Sequence, residues 1–358
     1  MPAPLPATFR GRVAAGLQRA WQGRGALSTV LLPAAGVFAA IASARRSLFA
    51  HGLRESSRLP VPVVVVGNLV VGGAGKTPTV LAVVALLRAH GYAPGIVSRG
   101  YGRAGAGEAL VEPDAGAAEV GDEPLLLRRR SGVPVAVGVD RVAAGHALLR
   151  AHAEVDVVVS DDGLQHLALD RDIEILVFDE RGAGNGRLLP AGPLREPLPA
   201  TLAPRQIVLY NADAPTTPLP GHLATRRLAG VTPLAEWWQG APPSAPALAT
   251  LSERKGVVAV AGTARPERFF AMLRSHGVDI VERPLEDHSD FSVLPWPAGA
   301  ADVVLTEKDA VKVPATRALG TRVWVARLDF VPDPAFDAAL LALLAPPSST
   351  LPHGNSSA

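Results

Sequence analysis

The chain has no cysteine, only two methionines, and aromatic residues at 5% of its 358 positions. Without cysteine there is no disulfide framework, no thiolate metal site and no cysteine nucleophile, and the redox compartment is left open. A one-sided charge is missing as well. The 35 basic residues face 33 acidic ones, a net +2, which is not the dense basic footprint of a nucleic-acid binder. Lysine is scarce within that basic set: only Lys76, Lys255, Lys308 and Lys312. A chain that uses arginine almost everywhere keeps lysine where a compact ammonium is needed, so these four positions direct the search. What the chain does have is apolar content, 48% of residues, ample for a real core and against general disorder. Its length suggests two domains at roughly 150 residues each.

A convincing membrane span is also lacking. Residues 25–44 carry no charge, and their number fits a span. Their content is largely Ala, Gly and Ser, with Pro33 near the middle. No processing site for a signal peptide follows. A helix beginning at about Pro33 fits better. It places Val37, Phe38, Ile41, Leu48 and Phe49 near one face, with Arg45, Arg46, Arg54 and Arg58 toward its end. An apolar stripe with a basic end is the pattern of an interfacial helix on anionic lipid. Ordinary packing on the domain and a true span are the competing readings.

From Pro60 onward the pattern alternates strand and helix. Val63–Val66 is a continuous β-branched run, as in a strand covered on both faces. A helix follows from about Pro78 to His90, then strands at Tyr92–Ser98, Val133–Val137, Val155–Ser160, Ile173–Phe178 and Gln206–Tyr210. Strands separated by helices predict an α/β fold with a doubly wound, mostly parallel sheet. The expected organisation is an N-terminal membrane-associating helical segment (1–59) and a larger, doubly wound α/β domain (60–211), which carries the phosphate-binding motif described next. A linker rich in Pro, Ala and Thr (212–255) has room for a short hairpin around Glu236 and Trp237. A smaller α/β domain (256–330), a C-terminal helix (331–345) and a disordered Ser/Pro-rich tail (346–358) complete it.

The strongest motif is Gly72-Gly73-Ala74-Gly75-Lys76-Thr77, set between the valine strand and a helix. Successive amide N–H groups at a helix start cradle phosphates, Lys76 neutralises their oxygens, and the Thr77 hydroxyl can bind Mg²⁺. Val70 stands where the usual loop has its first glycine. Asp161-Asp162-Gly163 closes the strand after Val155, at the carboxyl end where an open α/β sheet faces its ligand. Carboxylates there can hold Mg²⁺ directly or through water. A GTPase would carry an Asn-Lys-x-Asp reader, but Thr306-Glu307-Lys308-Asp309 has the wrong register. A partition-type ATPase would carry a second lysine before the paired glycines, where Val71 sits. A kinase for a small or lipidic acceptor remains. The runner-up is a membrane-associated P-loop ATPase switch acting on a protein partner.

Further motifs follow in order. They are Gly67-Asn68-Leu69 ahead of the loop, Ser98-Arg99-Gly100-Tyr101-Gly102-Arg103, Gly121-Asp122-Glu123-Pro124 and Asp140-Arg141. Then come Asp161-Asp162-Gly163-Leu164-Gln165-His166, the run from Arg187 to Pro197, Gly262-Thr263-Ala264-Arg265-Pro266, Asp287-His288 and Thr306–Lys312. Over residues 33–326 this set resembles the tetraacyldisaccharide 4′-kinase family of lipid A biosynthesis, which itself departs from the strict loop pattern at the position of Val70. The resemblance implies transfer of the γ-phosphoryl of ATP to the 4′-hydroxyl of a tetraacylated glucosamine disaccharide 1-phosphate, giving lipid IVA. It implies a peripheral enzyme at the cytoplasmic face of the bacterial inner membrane, with ATP and Mg²⁺ as cofactors and no nucleic acid or obligate protein partner. It assigns Gly72 to Thr77 to ATP, Thr77, Asp161, Asp162 and Glu196 to the metal, and Asp122 to the base with His288 as partner. Lys76 and Asp162 join these as catalytic residues. Asn68, Tyr101, Arg141, Gln165, His166 and Arg195 fall around the reacting groups or the sugar.

Spacing alone supports plainer readings. Asp122 could cap a helix starting near Pro124, His288 could be a loop histidine, and Arg195 with Glu196 a solvated pair. Arg128–Arg130 reads as a solvated helix face. Lys308 and Asp309 stay open between a structural turn and a nucleotide contact.

Overall fold

The computed structural model describes residues 16–344 apart from 18, 287, 288, 290, 318 and 319. His288 and the tail 346–358 lie outside these residues. The first helices described from end to end are α1 (Ala26–Val30) and α2 (Leu32–Ala50), the second with Pro33 in its first turn. Proline is favourable there because its missing N–H would have no helical partner. Then follow β1 (Val63–Gly67), α3 (Lys76–Ala89), β2 (Pro94–Ser98), β3 (Ala109–Leu110), α4 (Ala117–Val120), α5 (Asp122–Ser131), β4 (Val135–Val137), α6 (Arg141–Ala151), β5 (Val157–Asp161), β6 (Ile173–Asp179) and β7 (Gln206–Asn211). The remaining part comprises β8 (His222–Pro233), α7 (Leu234–Trp238), α8 (Ala245–Ser252), β9 (Val257–Ala261), α9 (Pro266–Ser275), β10 (Ile280–Pro284), β11 (Asp302–Thr306), α10 (Glu307–Ala310), β12 (Arg322–Pro332) and α11 (Pro334–Leu343).

The strands form one twelve-stranded sheet in the order β10-β9-β11-β12-β8-β7-β6-β1-β5-β2-β4-β3. The fold is α/β with mostly parallel pairing; the antiparallel pairs are β3 with β4 and β8 with β12. β1 lies centrally between β5 and β6, and all five of its residues are buried. That burial on both faces is why four consecutive valines suit it. α3 seats Val80, Val83, Val84 and Leu87 on the sheet, and the same apolar core continues through Val260, Val303 and Phe336 of the second half.

The stretch 212–255 corrects the expectation of a linker. It holds β8, whose start pairs in parallel with β7 (Leu209 with His222, Tyr210 with Leu223) before the strand runs antiparallel to β12 from Ala224 to Pro233. β8 is therefore the splice between the halves. Its Pro, Ala and Thr content marks no strand, and its pairing comes from partners distant in the chain. Glu236 and Trp237 stand in helix α7, not a hairpin, because Leu234 and Trp237, three residues apart, bury together on one face.

The amino-terminal residues are fastened by the segment around Asn185–Leu194. Trp21 Nε1 donates to the Pro190 carbonyl (2.9 Å), Ser28 Oγ to that of Ala191 (2.5 Å), and the Asn185 amide to Ser28 Oγ (2.9 Å). α2 buries Ala35 and leaves Val37 and Ile41 62% and 65% exposed.

Candidate active site

The glycine loop leaves β1 and enters α3 through two left-handed glycines, Gly72 (φ 98°) and Gly75 (φ 97°). Gly75 has no room for a side chain: a Cβ would stand 2.6 Å from Asn211 Nδ2 and 2.7 Å from Arg226 Nη2. Asn68 is fully buried beneath the loop; it donates to the Gly72 carbonyl (3.0 Å) and accepts from Lys76 Nζ (3.3 Å). It thus braces the loop and aims its lysine. Arg181, held by Asp179 (2.9 Å), donates to the Gly73 carbonyl (3.1 Å).

Asp161 and Asp162 end β5 opposite Lys76. Asp162 is the one non-glycine among the described residues in the left-handed region (φ 50°), a conformation that costs of order 1 kcal/mol and recurs at functional sites. Its Oδ1 lies 3.7 Å from Lys76 Nζ and 3.3 Å from Arg195 Nη1. Asp161 accepts from Ser98 Oγ (3.0 Å) through one oxygen, and its other, Oδ1, is buried without a hydrogen-bond partner. Burial foremost, then the neighbouring Glu123 and Asp162 carboxylates, push the Asp161 carboxyl up to about 7, against Lys76 and Ser98. A buried, unsatisfied carboxylate oxygen beside a second carboxylate is the chemistry of a hard divalent cation site, so these residues fit Mg²⁺. Mg²⁺ keeps few protein ligands beside phosphate and water, consistent with no cluster of three acidic or histidine side chains among the described residues.

Arg195 is delivered by the segment that clamps the amino terminus. Val71 N donates to the Pro193 carbonyl (2.9 Å), and Arg195 N to that of Leu69 (2.7 Å). The Arg195 guanidinium bonds Gln165 Oε1 (3.1 Å), and Gln165 Nε2 bonds Glu196 Oε1 (3.0 Å). The other Glu196 oxygen takes Arg46 of α2 (3.2 Å). Both oxygens of Glu196 are thus engaged within the protein, tying α2 to the site. Arg141 is buried and donates to the carbonyls of Gly138 (2.8 Å) and Val139 (3.2 Å). His166 Nε2 faces the Arg141 amide (3.3 Å); burial and the Arg141 charge depress its imidazole below the usual histidine range. Tyr101 stands exposed at the rim.

Asp122 opens α5, largely buried, with Oδ1 accepting the Glu123 amide (3.0 Å) and Oδ2 3.4 Å from Lys312 Nζ. Lys308 Nζ meets Glu123 Oε1 at 2.9 Å. The two lysines of the Thr306–Lys312 motif therefore meet the acidic pair at the start of α5. Arg128–Arg130 does not face solvent as expected. Arg128 donates to the Val111 carbonyl (3.2 Å), Arg129 lies over the Trp237 and Trp238 rings (5.0 and 4.2 Å), and Arg130 pairs with Glu307. The run looks solvated in sequence because the partners of Arg129 and Arg130 lie over 100 residues away, while Arg128 turns back to Val111.

Lys76, Asp122, Asp161, Asp162, Arg195 and Lys308 share one cleft of about 860 Å³, whose walls come from both halves of the sheet. Asn211 and Arg226, against Gly75, were not marked by any motif. Asn211 at the carboxyl end of β7 was findable from the strand-end rule, whereas nothing local distinguishes Arg226 from the other arginines.

The family model for tetraacyldisaccharide-1-P 4′-kinase matches residues 27–345. The chain is 54% identical to the tetraacyldisaccharide 4′-kinase of Methylibium petroleiphilum, over 96% of this chain and 97% of that protein. It is 56% identical to the enzyme of the same name from Leptothrix cholodnii, over 93% and 97%. Among solved structures it matches LpxK from Aquifex aeolicus in complex with ATP, with a TM-score of 0.72 at 27% identity, covering 89% of this chain and all of that one. The glycine loop, the paired aspartates and the full-length match agree, and the chain belongs to the tetraacyldisaccharide-1-P 4′-kinase family.

Proposed function

We propose that this kinase transfers the γ-phosphoryl of ATP to the 4′-hydroxyl of a tetraacylated glucosamine disaccharide 1-phosphate, with Asp122 as the base. The observation that carries this reading is one cleft holding Lys76 and the Asp161–Asp162 pair together with the carboxylate of Asp122. The Gly72 to Thr77 amides cradle the phosphates, and Lys76, aimed by Asn68, neutralises their oxygens. Asp161, Asp162 and Thr77 would hold Mg²⁺, which when bound offsets charge on the β- and γ-phosphates. Arg195, anchored on Asp162 and Gln165, presents a cation toward the transferring group. A sugar hydroxyl is a weak nucleophile in a loose transfer. Asp122 orients it and accepts its proton as the new O–P bond forms and the β–γ bridge bond breaks, leaving ADP. His288 as partner of Asp122, and Tyr101, Arg141 and His166 near the sugar, belong to this reading.

The exposed Val37 and Ile41 and the basic residues near the end of α2 support peripheral docking on the cytoplasmic face of the inner membrane. No helix among the described residues is long and apolar enough to cross a membrane. The test is phosphate transfer from labelled ATP to a detergent-dispersed acylated disaccharide. The parent transfers label. Asp122→Ala loses turnover by about 10²–10⁴-fold while ATP affinity stays within a few-fold. Near-normal turnover in that variant would remove Asp122 from the base role.

A further inference from the structure

The segment Thr306–Lys312 has no part in the phosphate loop, yet it grips the start of α5. Its inner member is Asp309, fully buried, whose Oδ2 accepts the Gly262 amide (2.9 Å) and the Thr306 hydroxyl (2.7 Å). A carboxylate fixed at two points and closed off from water is a rigid anchor. Lys312 Nζ stands 3.7 Å from its other oxygen and 3.4 Å from Asp122 Oδ2, with the Phe291 ring centroid 5.6 Å away. The Lys312 side chain is one-tenth exposed and does not border the cleft. Whatever it contributes passes through the two carboxylates it lies between. Beside it, Lys308 engages Glu123 at 2.9 Å, so the neighbouring carboxylate has its own cation.

We propose that Lys312 is a positioning residue for phosphoryl transfer, its ammonium held between Asp309 and Asp122 so that the Asp122 carboxylate points into the cleft. The proposal rests on the reading of Asp122 as base. Asp122 Oδ1 accepts the Glu123 amide, while the Lys312 ammonium, which makes no hydrogen bond of its own among the described residues, draws Oδ2 by charge alone at 3.4 Å, so the two contacts act on opposite oxygens of the carboxylate. Lysine suits the place because a compact ammonium serves two carboxylates from different elements, whereas the planar guanidinium fork prefers one carboxylate face-on. That accounts for a lysine here in a chain with four lysines among 35 basic residues. It also makes the geometry of the base depend on both halves, since Asp122 belongs to α5 and Lys312 follows α10.

The test uses the full chain with ATP, Mg²⁺ and a detergent-dispersed acylated disaccharide, comparing K312M, K312Q, K312R, D122N and the double variant K312M/D122N. The expected result is a kcat lowered at least 30-fold in K312M and K312Q with the KM for ATP within three-fold of the parent. K312R recovers part of that loss. The double variant is no slower than D122N, because two residues acting as one unit do not multiply their losses. If kcat in K312M stays within three-fold of the parent while D122N is inactive, the positioning role is overturned and the base reading stands. If D122N itself is near parental, the base reading falls and the role of Lys312 with it. Losses that multiply in the double variant, or loss of ATP affinity in both neutral variants, assign Lys312 to folding and overturn the proposal.

Discussion

Asp161 shows how a single residue can be set against the stability of its own fold. Its carboxyl, ordinarily near 3.8, is pushed up to about 7 by burial and by Glu123 and Asp162. A native carboxyl that holds its proton more tightly than the unfolded chain leaves the protein most stable at low pH. Stability is given up as pH rises from about 4 through 7. In EDTA at pH 8, Asp161→Asn should therefore raise the melting temperature, by a gain of about 2–4 kcal/mol, while abolishing transfer. At pH 5 the gain should shrink, because the parent's Asp161 is then largely protonated. Melts of parent and variant that stay parallel from pH 5 to pH 8 would contradict this. The residues themselves were legible here: a strand ending in two aspartates after a glycine loop announces phosphate chemistry. Their inequality was not. One oxygen of Asp161 lacks a partner while Asp162 holds Lys76 and Arg195, a difference made by Ser98 and Arg195 from other segments.

Among the elements, α2 departs furthest from what a globular helix needs. Its inward side is narrow, with Ala35 buried and Arg46 reaching Glu196 at 3.2 Å, while Val37, Ile41 and Leu48 stay exposed along its outer side. Replacing Val37 and Ile41 together by Asp should leave the melting temperature within about 1–2 °C, since exposed positions contribute little to folding. The same change should weaken sedimentation with vesicles containing anionic lipid at least ten-fold and raise the KM for the acylated acceptor, with the KM for ATP unchanged. Unaltered vesicle binding would place the docking surface elsewhere. The glycine loop and β1 could be read because their information is local: four valines for a strand buried on both faces, glycines where φ must be positive, and lysine-threonine at a helix start. β8 could not. Twelve residues of mixed character become a strand because β7 and β12 offer edges on either side.

At the scale of the whole molecule, α5 is the joint. It presents Asp122 at its start and runs Arg129 and Arg130 into the second half, where Arg129 lies over two tryptophan rings and donates to the Trp237 and Trp238 carbonyls (3.3 and 2.5 Å). Trp237 Nε1 reaches Glu307 Oε1 (3.2 Å) and Trp238 Nε1 the Val313 carbonyl (2.9 Å), so the rings themselves are fixed. Arg129→Ala should cost about 1–3 kcal/mol in denaturant unfolding, from the lost cation–π contacts and carbonyl partners. It should lower kcat as well, because Asp122 rides on the same helix. Arg129→Lys should recover little, since an ammonium cannot stack as a planar guanidinium does. A variant with parental stability and turnover would show that the joint bears no such load. The sequence by itself determined the phosphate loop, the paired aspartates, the α/β alternation and the family, because each is written in neighbouring residues and in the order of motifs along the chain. Only the tertiary structure decided that the two halves share one sheet, that Arg129 and Arg130 form a latch, and that Lys308 and Lys312 meet Glu123 and Asp122. Those contacts join residues about 100 to 190 positions apart, and a pairing at that distance is selected by packing and burial, which leave no periodicity for the sequence to display.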